Sequence, residues 1–562
     1  MGQNGVILLL VFLAVAIYVS VSESKRRKQK MLQRIKKSWG KTADRDIRPE
    51  ELEMISHYAT DCHTGDIPCS EKDYIDDITW NDLSMDLLYK RMNSCFSSVG
   101  QEYLYKMLRL PFNNIDKLKE TDRLAEYFAG NERDRNEILK VFYSLGYTKK
   151  ISTSDYVGLL LDLKPGNNII HFVSVVLIII SFVVTFGINP MAGVFMIIAS
   201  VALAIISYYS CKAKIEPYFI CITQVVKMVN AAKKINRLGI KTLDRYCLEL
   251  STLVNDMSKA TKYTELLASS NESGSIAEIL LDYIRMITHV DMIVFNRSVR
   301  MLGDKSEEIY RLIEILGYIE CTIAVASYRE SLDYWCVPEF INRKDMLIVK
   351  DVYHPNITNA VPNSINVNKN ILLTGSNASG KSTFLKTIAI NAILSQSIDT
   401  SVSKEYRAPV FRIYSSMSLK DNLEGHDSYY IVEIKALKRI LDSIDYDEKP
   451  VLCFVDEVLR GTNTVERIAA SSQILKSLCG RSVLCFAATH DIELTRMLDN
   501  YFDNYHFEED FNQDVVFNYK LLKGPATTRN AIKLLKSIGY DDKIIKAADD
   551  TANQFLQTGN WC

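Results

Sequence analysis

A glycine-rich turn between an apolar strand and a helix constrains this chain more than any other feature. Residues 371–373 are apolar and predict a buried strand, and apolar residues recur at helical spacing from Phe384 onward. Between them, residues 375–382 match the pattern G-x-x-x-x-G-K-[ST], which cradles phosphates when it joins a strand to a helix. We therefore predict a site for a nucleoside triphosphate and disfavour the alternative, a chance glycine loop.

The positions of this turn have different predicted roles. Gly375 and Gly380 permit backbone turns that aim N–H groups at phosphates, and the N-terminus of the following helix adds positive dipole. The ammonium group of Lys381 can reach the β- and γ-phosphates, and the hydroxyl of Ser382 can ligate Mg²⁺. The predicted ligands are therefore ATP and Mg²⁺. The predicted ATP-binding residues are Gly375, Ser376, Asn377, Ala378, Ser379, Gly380, Lys381, Ser382 and Thr383.

Two further apolar stretches end in polar residues suited to phosphate chemistry. Residues 451–455 end in Asp456 and Glu457; the first carboxylate would hold Mg²⁺, and the second would orient or deprotonate the attacking water. Residues 483–488 are followed by Thr489 and His490, and in ATPases of the ABC class such a histidine contacts the γ-phosphate. The alternative, a buried strand that merely ends in acids, stays open at this point.

These motifs give one set of predicted site residues. The predicted catalytic residues are Glu457, His490 and Lys381, and the predicted magnesium ligands are Ser382 and Asp456.

Three apolar runs predict membrane spans. Residues 6–21 have no preceding positive charge and are followed by many lysines and arginines, which favours a retained anchor over a cleaved signal peptide. Residues 169–187 and 191–209 carry no formal charge and are separated by Asn189 and Pro190, which predicts a helical hairpin. The distribution of positive charge places the N-terminus outside and the soluble segments in the cytoplasm. We therefore expect a multi-pass protein of the plasma membrane, in contact with lipid.

Charge and cysteine content limit the other classes of function. The formal net charge is −1, so no global basic field attracts nucleic acid, and any nucleic-acid surface must be local. The twelve cysteines include no C-x-x-C pair, which predicts reduced thiols rather than a disulfide framework. A zinc site formed by His57, Cys62, His63 and Cys69 is an alternative, although their spacings match no standard site.

The predicted fold class is an α/β P-loop ATPase domain of ABC type at the C-terminus, preceded by an α-helical core and lever region and three transmembrane helices. Amphipathic helical periodicity supports the helical parts. The predicted domains are an N-terminal anchor (1–22), a basic juxtamembrane segment and linker (23–78), a helical core-like segment (79–167), a transmembrane hairpin (168–210), a helical lever (211–334), the ATPase domain (335–545) and a C-terminal tail (546–562).

The motifs of the C-terminal part resemble the ATPase domain of the MutS mismatch-repair family. The resemblance covers residues 374–383, 456–464 and 488–490, and its most distinctive part is Arg460-Gly461-Thr462-x-Thr464. Residues 421–433 are similar to the family's signature segment, which implies that Ser428 reaches the γ-phosphate bound by a partner subunit. The resemblance therefore implies a homodimer formed through the ATPase domains.

The sequence also departs from the family pattern. Ser376 stands where the family usually has proline, Ala378 and Ser379 replace Met-Gly, and Leu459 replaces a glycine before Arg460. We expect no mismatch-reading domain, because the family's Phe-x-Glu reading motif occurs only as residues 507–509, downstream of the strand that ends in Asp456 and Glu457.

Two functions fit these patterns. The first is a membrane-anchored MutS-like ATPase whose cycle is coupled to DNA binding without mismatch recognition, with phosphate contacts from Lys227, Lys233, Lys234 and Arg237. These four residues could equally form a solvated helix face. The second is an ATP-gated membrane scaffold that binds an unidentified protein partner and has no DNA role. An ABC transporter fits less well, because transport pathways usually leave ionisable residues in the spans.

Overall fold

The computed structural model describes residues 22–23, 25–43, 45–65, 73–148, 151–261, 283–376, 379–417, 429–444, 449–459, 462–480, 482–511, 515–526, 532, 535 and 538–558. The chain divides into two compact units. The first comprises Met1–Ser70, Asn93–Lys106 and Leu124–Glu330, and the second Glu71–Met92, Met107–Arg123 and Ser331–Cys562.

The helices and strands are numbered here along the chain. The helices are α1 (Pro49–Thr64), α2 (Asp77–Asp82), α3 (Met85–Met92), α4 (Ser98–Arg109), α5 (Ile115–Gly130), α6 (Glu132–Leu145), α7 (Thr153–Leu161), α8 (Ile169–Gly187), α9 (Pro190–Leu238), α10 (Asp244–Thr261), α11 (Val290–Leu302), α12 (Ser306–Glu330), α13 (Lys381–Ile398), α14 (Tyr429–Ser443), α15 (Thr464–Ser477), α16 (Ile492–Met497) and α17 (Asp542–Thr558). The strands are β1 (Glu339–Phe340), β2 (Leu347–Val352), β3 (Asn363–Val367), β4 (Asn370–Thr374), β5 (Glu405–Ala408), β6 (Arg412–Ser416), β7 (Val451–Asp456), β8 (Val483–Ala488), β9 (Phe502–Phe511) and β10 (Val515–Lys523).

A buried carboxyl group in α12 organises part of the first, helical unit. The Glu320 carboxyl group accepts hydrogen bonds from the N–H groups of Phe96 (2.6 Å) and Ser97 (3.2 Å) at the start of α4. The Ser97 hydroxyl in turn accepts from the Gly100 N–H at 3.2 Å, which is the usual N-cap contact. Burial raises the pKa of Glu320 to about 7. The N–H groups at the start of α4 are therefore satisfied by side chains instead of water.

Helices α8 and α9 pair closely at their connected ends. The Asn189 side-chain oxygen accepts hydrogen bonds from the N–H groups of Met191 (3.1 Å) and Ala192 (3.2 Å), so it caps α9. A Cβ atom at Gly193 would lie 2.3 Å from the Thr185 hydroxyl oxygen, so only glycine fits this contact. Helix α9 then runs unbroken to Leu238, across the predicted boundary between hairpin and lever at residue 210.

The polarity of this hairpin is the reverse of that of a helix pair in water. Large apolar side chains point outward, with 55% of Phe172, 85% of Phe186 and 69% of Phe195 exposed. The Ser181 side chain is buried, and its hydroxyl donates to that of Ser200 at 3.3 Å. Lipid-facing helices show this distribution, because only their contact faces can hold polar groups.

The described residues correct the predicted number of membrane-spanning helices. The described residues contain two helices that are long and apolar enough to cross a membrane, Ile169–Gly187 and Pro190–Glu216, rather than three. The remaining prediction, residues 1–22, lies outside the described residues apart from its last position.

The second unit contains the predicted α/β arrangement. Its main sheet has six strands in the order β10-β9-β4-β8-β7-β6, and all neighbours are parallel except β10 and β9. A smaller sheet has the order β1-β5-β2-β3. Strands β4, β7 and β8 are buried along their whole length, as their apolar sequences predict. The α/β C-terminal part and the helical region before it are thus confirmed.

Residues from the N-terminal half complete the second unit. The Asp82 carboxylate at the end of α2 accepts hydrogen bonds from the Ser415 hydroxyl (2.7 Å) and the Met417 N–H (2.9 Å). The Asp76 side chain caps α2 through the Thr79 N–H and also pairs with Arg439 at 2.7 Å. The sequence assigned these residues to separate segments, and the contacts tie them to β6 and α14.

The redox state of one cysteine differs from the sequence prediction. Cys62 is disulfide-bonded, so the prediction of uniformly reduced thiols is wrong there. The nine other cysteines that the structure describes carry free thiols. A disulfide sulfur is not a thiolate ligand, which removes Cys62 from the alternative zinc site. Within the described ranges, no group of three or more His, Cys, Asp or Glu side chains could hold a metal ion.

Leu459 occupies a backbone conformation that favours glycine. Its φ angle is +61°, in the left-handed region, which costs roughly 1–2 kcal/mol for a residue with a Cβ atom. Its side chain is 3% exposed and packs in the apolar cluster behind β7 and β8. Burying a leucine side chain contributes about 1.5–3 kcal/mol. The buried side chain therefore offsets the backbone strain at a position where the MutS family pattern has glycine.

This balance predicts an unusual order of stability for two variants of Leu459. Leu459→Ala loses the buried methyl groups and keeps the strain, whereas Leu459→Gly loses the same groups and releases the strain. The glycine variant should therefore be the more stable by about 1 kcal/mol, seen as a higher melting temperature of the full chain.

Leu475 is the matched control, because it is also buried but lies inside α15. There the alanine variant should be more stable than the glycine variant, by about 1 kcal/mol. If the alanine variant were the more stable one at both positions, the result would contradict the backbone strain at Leu459.

Candidate functional site

The glycine-rich turn lies between β4 and α13. Gly375 and Gly380 have φ angles of +143° and +108°, and α13 begins at Lys381. A Cβ atom at Gly380 would also lie 3.2 Å from a ring carbon of Tyr519. Both the backbone conformation and this close contact therefore require glycine at position 380. Two predicted residues of the turn, Asn377 and Ala378, lie outside the described residues.

The Lys381 ammonium group lies inside the turn. Its Nζ atom donates to the carbonyl oxygens of Gly375 (2.8 Å) and Ser376 (2.7 Å), and the residue is only 5% exposed. It also lies 3.4 Å from Nε2 of His490. A buried positive charge at the centre of a glycine-rich turn suits an anionic ligand, whose oxygens could replace the two carbonyls.

Ser382 and Asp456 form a hydroxyl–carboxylate pair beside this turn. The Ser382 Oγ atom donates to Oδ2 of Asp456, the last residue of β7. Asp456 is only 7% exposed. Hydroxyl and carboxylate oxygens are the hard ligands that Mg²⁺ prefers, and these two are close enough to share one ion. The donor set therefore fits the predicted metal.

Glu457 and His490 form a second polar pair at the same sheet edge. Oε1 of Glu457 lies 2.6 Å from Nε2 of His490, so the ring nitrogen donates and the carboxylate accepts. The Glu457 N–H donates to the carbonyl of Ala488 at 2.9 Å, and the Thr489 N–H donates to that of Leu373 at 2.9 Å. These backbone bonds extend the pairing of β7, β8 and β4 and thereby fix both loops.

Most of the predicted site residues that the structure describes line one cavity of about 510 Å³, although Gly375, Ser379 and Asp456 are not among its lining residues. This volume is in the range of small-molecule sites. It is lined by Ser376, Lys381, Ser382, Thr383, Glu457 and His490. Burial lowers the pKa of His354, another lining residue, to about 4, so its imidazole is neutral.

Tyr519 and Phe507 also line the cavity and were not predicted from the sequence. Phe507 is 3% exposed, and its ring centroid lies 5.8 Å from that of Phe384. Tyr519 is held through its carbonyl, which accepts from the Asn363 side chain at 3.0 Å. Tyr519 belongs to no recognisable motif, and the Phe-x-Glu triplet that contains Phe507 does not indicate a nucleotide contact, so no local signal could have found them.

An ion pair next to His490 was also missed. Arg467 of α15 donates two hydrogen bonds to the Asp491 carboxylate, at 2.6 and 3.0 Å. These bonds raise the pKa of Arg467. The pair lines a small cavity of about 180 Å³ together with Glu457 and His490. Because Asp491 directly follows His490, the pair restrains the loop that carries the histidine.

Some predicted residues cannot be placed. Ser428 and most of the signature-like segment lie outside the described residues, as do Arg460 and Gly461. Helix α14 begins one residue after Ser428.

Comparisons with known proteins agree with this geometry. Residues 371–556 match the family model for MutS domain V. The chain is 24% identical over 296 residues to a DNA mismatch repair protein MutS of Clostridium botulinum, which covers 50% of this chain and 31% of the relative. It is 29% identical over 274 residues to a DNA mismatch repair protein MutS of a Thermotoga species, covering 47% and 34%. It is 28% identical over 339 residues to the MutS protein homolog 4 of Mus musculus, covering 56% and 34%.

The matches cover only part of each relative. The chain spans about a third of the length of the curated relatives that it matches. The family match begins in β4 and includes the turn, β7, β8 and the residues that follow them. The C-terminal part of the chain therefore matches MutS domain V, and about half of the chain is similar to MutS-family proteins.

Proposed function

We propose that this chain is a membrane-anchored ATPase of the MutS type that binds and hydrolyses ATP with Mg²⁺. The observation that carries the proposal is the convergence of three polar groups on one cavity. They are the Lys381 ammonium group, the Ser382–Asp456 pair and the Glu457–His490 pair. Phosphoryl transfer requires little beyond positioning and charge stabilisation, and this set supplies both.

In the proposed reaction, water attacks the γ-phosphorus and the bond to the bridging oxygen of ADP breaks. Glu457 accepts the proton of the water, while the His490 N–H holds the Glu457 carboxylate at 2.6 Å. Lys381 exchanges its two carbonyl contacts for phosphate oxygens. Ser382 and Asp456 would hold the magnesium ion, which when bound neutralises phosphate charge. The products are ADP and inorganic phosphate.

The sites are proposed to work in a homodimer. The support is the resemblance of residues 421–433 to the family's signature segment, which implies that Ser428 reaches the γ-phosphate bound by a partner subunit. Each chain would then hold one nucleotide and complete the site of the other.

The hairpin of α8 and α9 is proposed to anchor the chain in a bilayer. The support is its reversed polarity, since only 22% of each candidate span is buried while the serine hydroxyls lie between the helices. A core helix of a soluble protein would be mostly buried instead. By the positive-inside rule, the soluble parts would face the cytoplasm of a cell whose plasma membrane holds the hairpin.

The proposed coupling to DNA involves phosphate contacts without mismatch recognition. The matched bacterial relatives are named DNA mismatch repair proteins. The aromatic residue of the single Phe-x-Glu triplet, Phe507, is buried against Phe384 and cannot wedge between bases. On α9, Lys227, Lys234 and Arg237 are exposed.

An ATP-gated scaffold that binds a protein partner is the second candidate function. It is favoured by α9, whose 49 residues run without a break from the apolar segment to Leu238. A helix of this length spans about 70 Å and can transmit a displacement rigidly.

Two substitutions test the ATPase. Glu457→Gln should still bind ATP but hydrolyse it at least ~100-fold more slowly, because the acceptor for the water's proton is lost. Lys381→Ala should lose nucleotide affinity itself. The measurements are steady-state phosphate release and equilibrium nucleotide binding by the purified full chain.

The matched control is Lys435→Ala, because Lys435 is exposed on α14 away from the cavity lining. It should leave both measurements unchanged. Wild-type turnover by Glu457→Gln would show that Glu457 does not activate the water.

A competition titration with matched and single-mismatch duplexes separates the two candidate functions. Phosphate contact alone gives a Kd of ~10⁻⁴–10⁻⁶ M at physiological salt, weakening steeply as salt rises. It should treat both duplexes alike, and replacing Lys227, Lys234 and Arg237 by glutamine should weaken both equally. A preference for the mismatch beyond about tenfold, roughly 1.4 kcal/mol, would contradict the proposal. A failure to bind either duplex at low salt would favour the scaffold.

A further inference from the structure

The loop that carries Glu457 has a strained backbone. The φ angles of Glu457 and Leu459 are +57° and +61°, so two of three consecutive residues lie in the left-handed region. Each such residue costs on the order of 1–3 kcal/mol and persists only where the surroundings hold it. The contacts of this loop therefore decide where the Glu457 carboxylate points.

Three contacts between described residues hold the backbone of this loop. The Glu457 N–H donates to a carbonyl of β8, and the Val458 carbonyl accepts from the Ser471 hydroxyl of α15 at 3.2 Å. The third contact comes from α14, where Oε1 of Glu433 accepts from the Leu459 N–H. Glu433 is only 4% exposed. This is the one contact of the three that comes from a carboxyl side chain, and bonds from N–H groups to carboxylates are short and strong.

We propose that Glu433 is a positioning residue for Glu457. Its carboxyl group clamps the Leu459 N–H and so maintains the strained turn that directs Glu457 toward His490. The inference rests on the proposed ATPase function. Removing the carboxyl group leaves the buried Leu459 N–H without this acceptor, and the loop can then relax toward negative φ.

This role predicts a specific kinetic signature. Glu433 is not among the described residues that line the cavity, so its loss should not weaken nucleotide binding. Displacing a catalytic group by about 1 Å can lower a rate on the order of 100-fold. A positioning residue should therefore affect kcat and leave KM for ATP within about twofold.

The test is steady-state ATP hydrolysis by the purified full chain in detergent. Glu433→Ala should lower kcat at least about tenfold. Glu433→Gln should retain most of the rate, because its amide oxygen can still accept from the Leu459 N–H. The matched control is Asp442→Asn, since Asp442 lies on the same helix and pairs with the exposed Lys438. It should leave kcat unchanged.

A double-mutant cycle shows whether Glu433 acts through Glu457. In the Glu457→Gln background, Glu433→Ala should cause no further loss, because the group that it positions is already inactive. If Glu433→Ala does not fold, Glu433→Asp, whose shorter side chain withdraws the acceptor, should lower kcat relative to Glu433→Gln. An unchanged kcat in folded Glu433→Ala, or an equal loss in both backgrounds, would overturn the inference. Absence of hydrolysis by the wild-type chain would instead overturn the proposed function, and the inference with it.

Discussion

The candidate site depends on the register of three parallel strands. β4, β8 and β7 lie side by side, with Leu373 and Asp456 both paired to Ala488. Because the carboxyl ends of parallel strands meet at one sheet edge, the glycine-rich turn, the two carboxylates and His490 converge without further constraint. A slip of one residue in either pairing would reverse which faces the side chains occupy and separate these groups. The buried apolar strands thus determine the chemistry at their ends.

The loops at this edge are held by side chains from two neighbouring helices. Helix α15 contributes Arg467, which restrains the loop after β8, and α14 contributes Glu433, which contacts the loop after β7. The strain at Leu459 is balanced by burial of its side chain and by this contact. Catalytic loops commonly store strain of this kind where the surrounding structure fixes it. In the present chain, Arg467 lies outside the motifs that identify the site, whereas Glu433 is the last residue of the signature-like segment 421–433.

The sequence predicted the parts of the molecule that have local signatures. The strands β4, β7 and β8 are continuous apolar runs, and the turn between β4 and α13 follows a short pattern, so their order along the chain implied the common edge. Tyr519, by contrast, reaches the cavity from a strand without a motif, and Arg467 and Asp491 are 24 residues apart. Such contacts depend on tertiary packing, which periodicity does not encode. The disulfide of Cys62 was not predicted, because scattered cysteines without a C-x-x-C pair favour reduced thiols.

We propose that a MutS-type ATPase domain is carried by a chain whose apolar hairpin lies in a bilayer. The most direct test of this proposal is labelling of single introduced cysteines in intact cells with a membrane-impermeant maleimide, measured against the parent chain. Ile188, between α8 and α9, is 77% exposed, and Lys435 on α14 is exposed in the second unit. We expect that Ile188→Cys is labelled from outside, and Lys435→Cys only after permeabilisation. Labelling of both positions only after permeabilisation would contradict it.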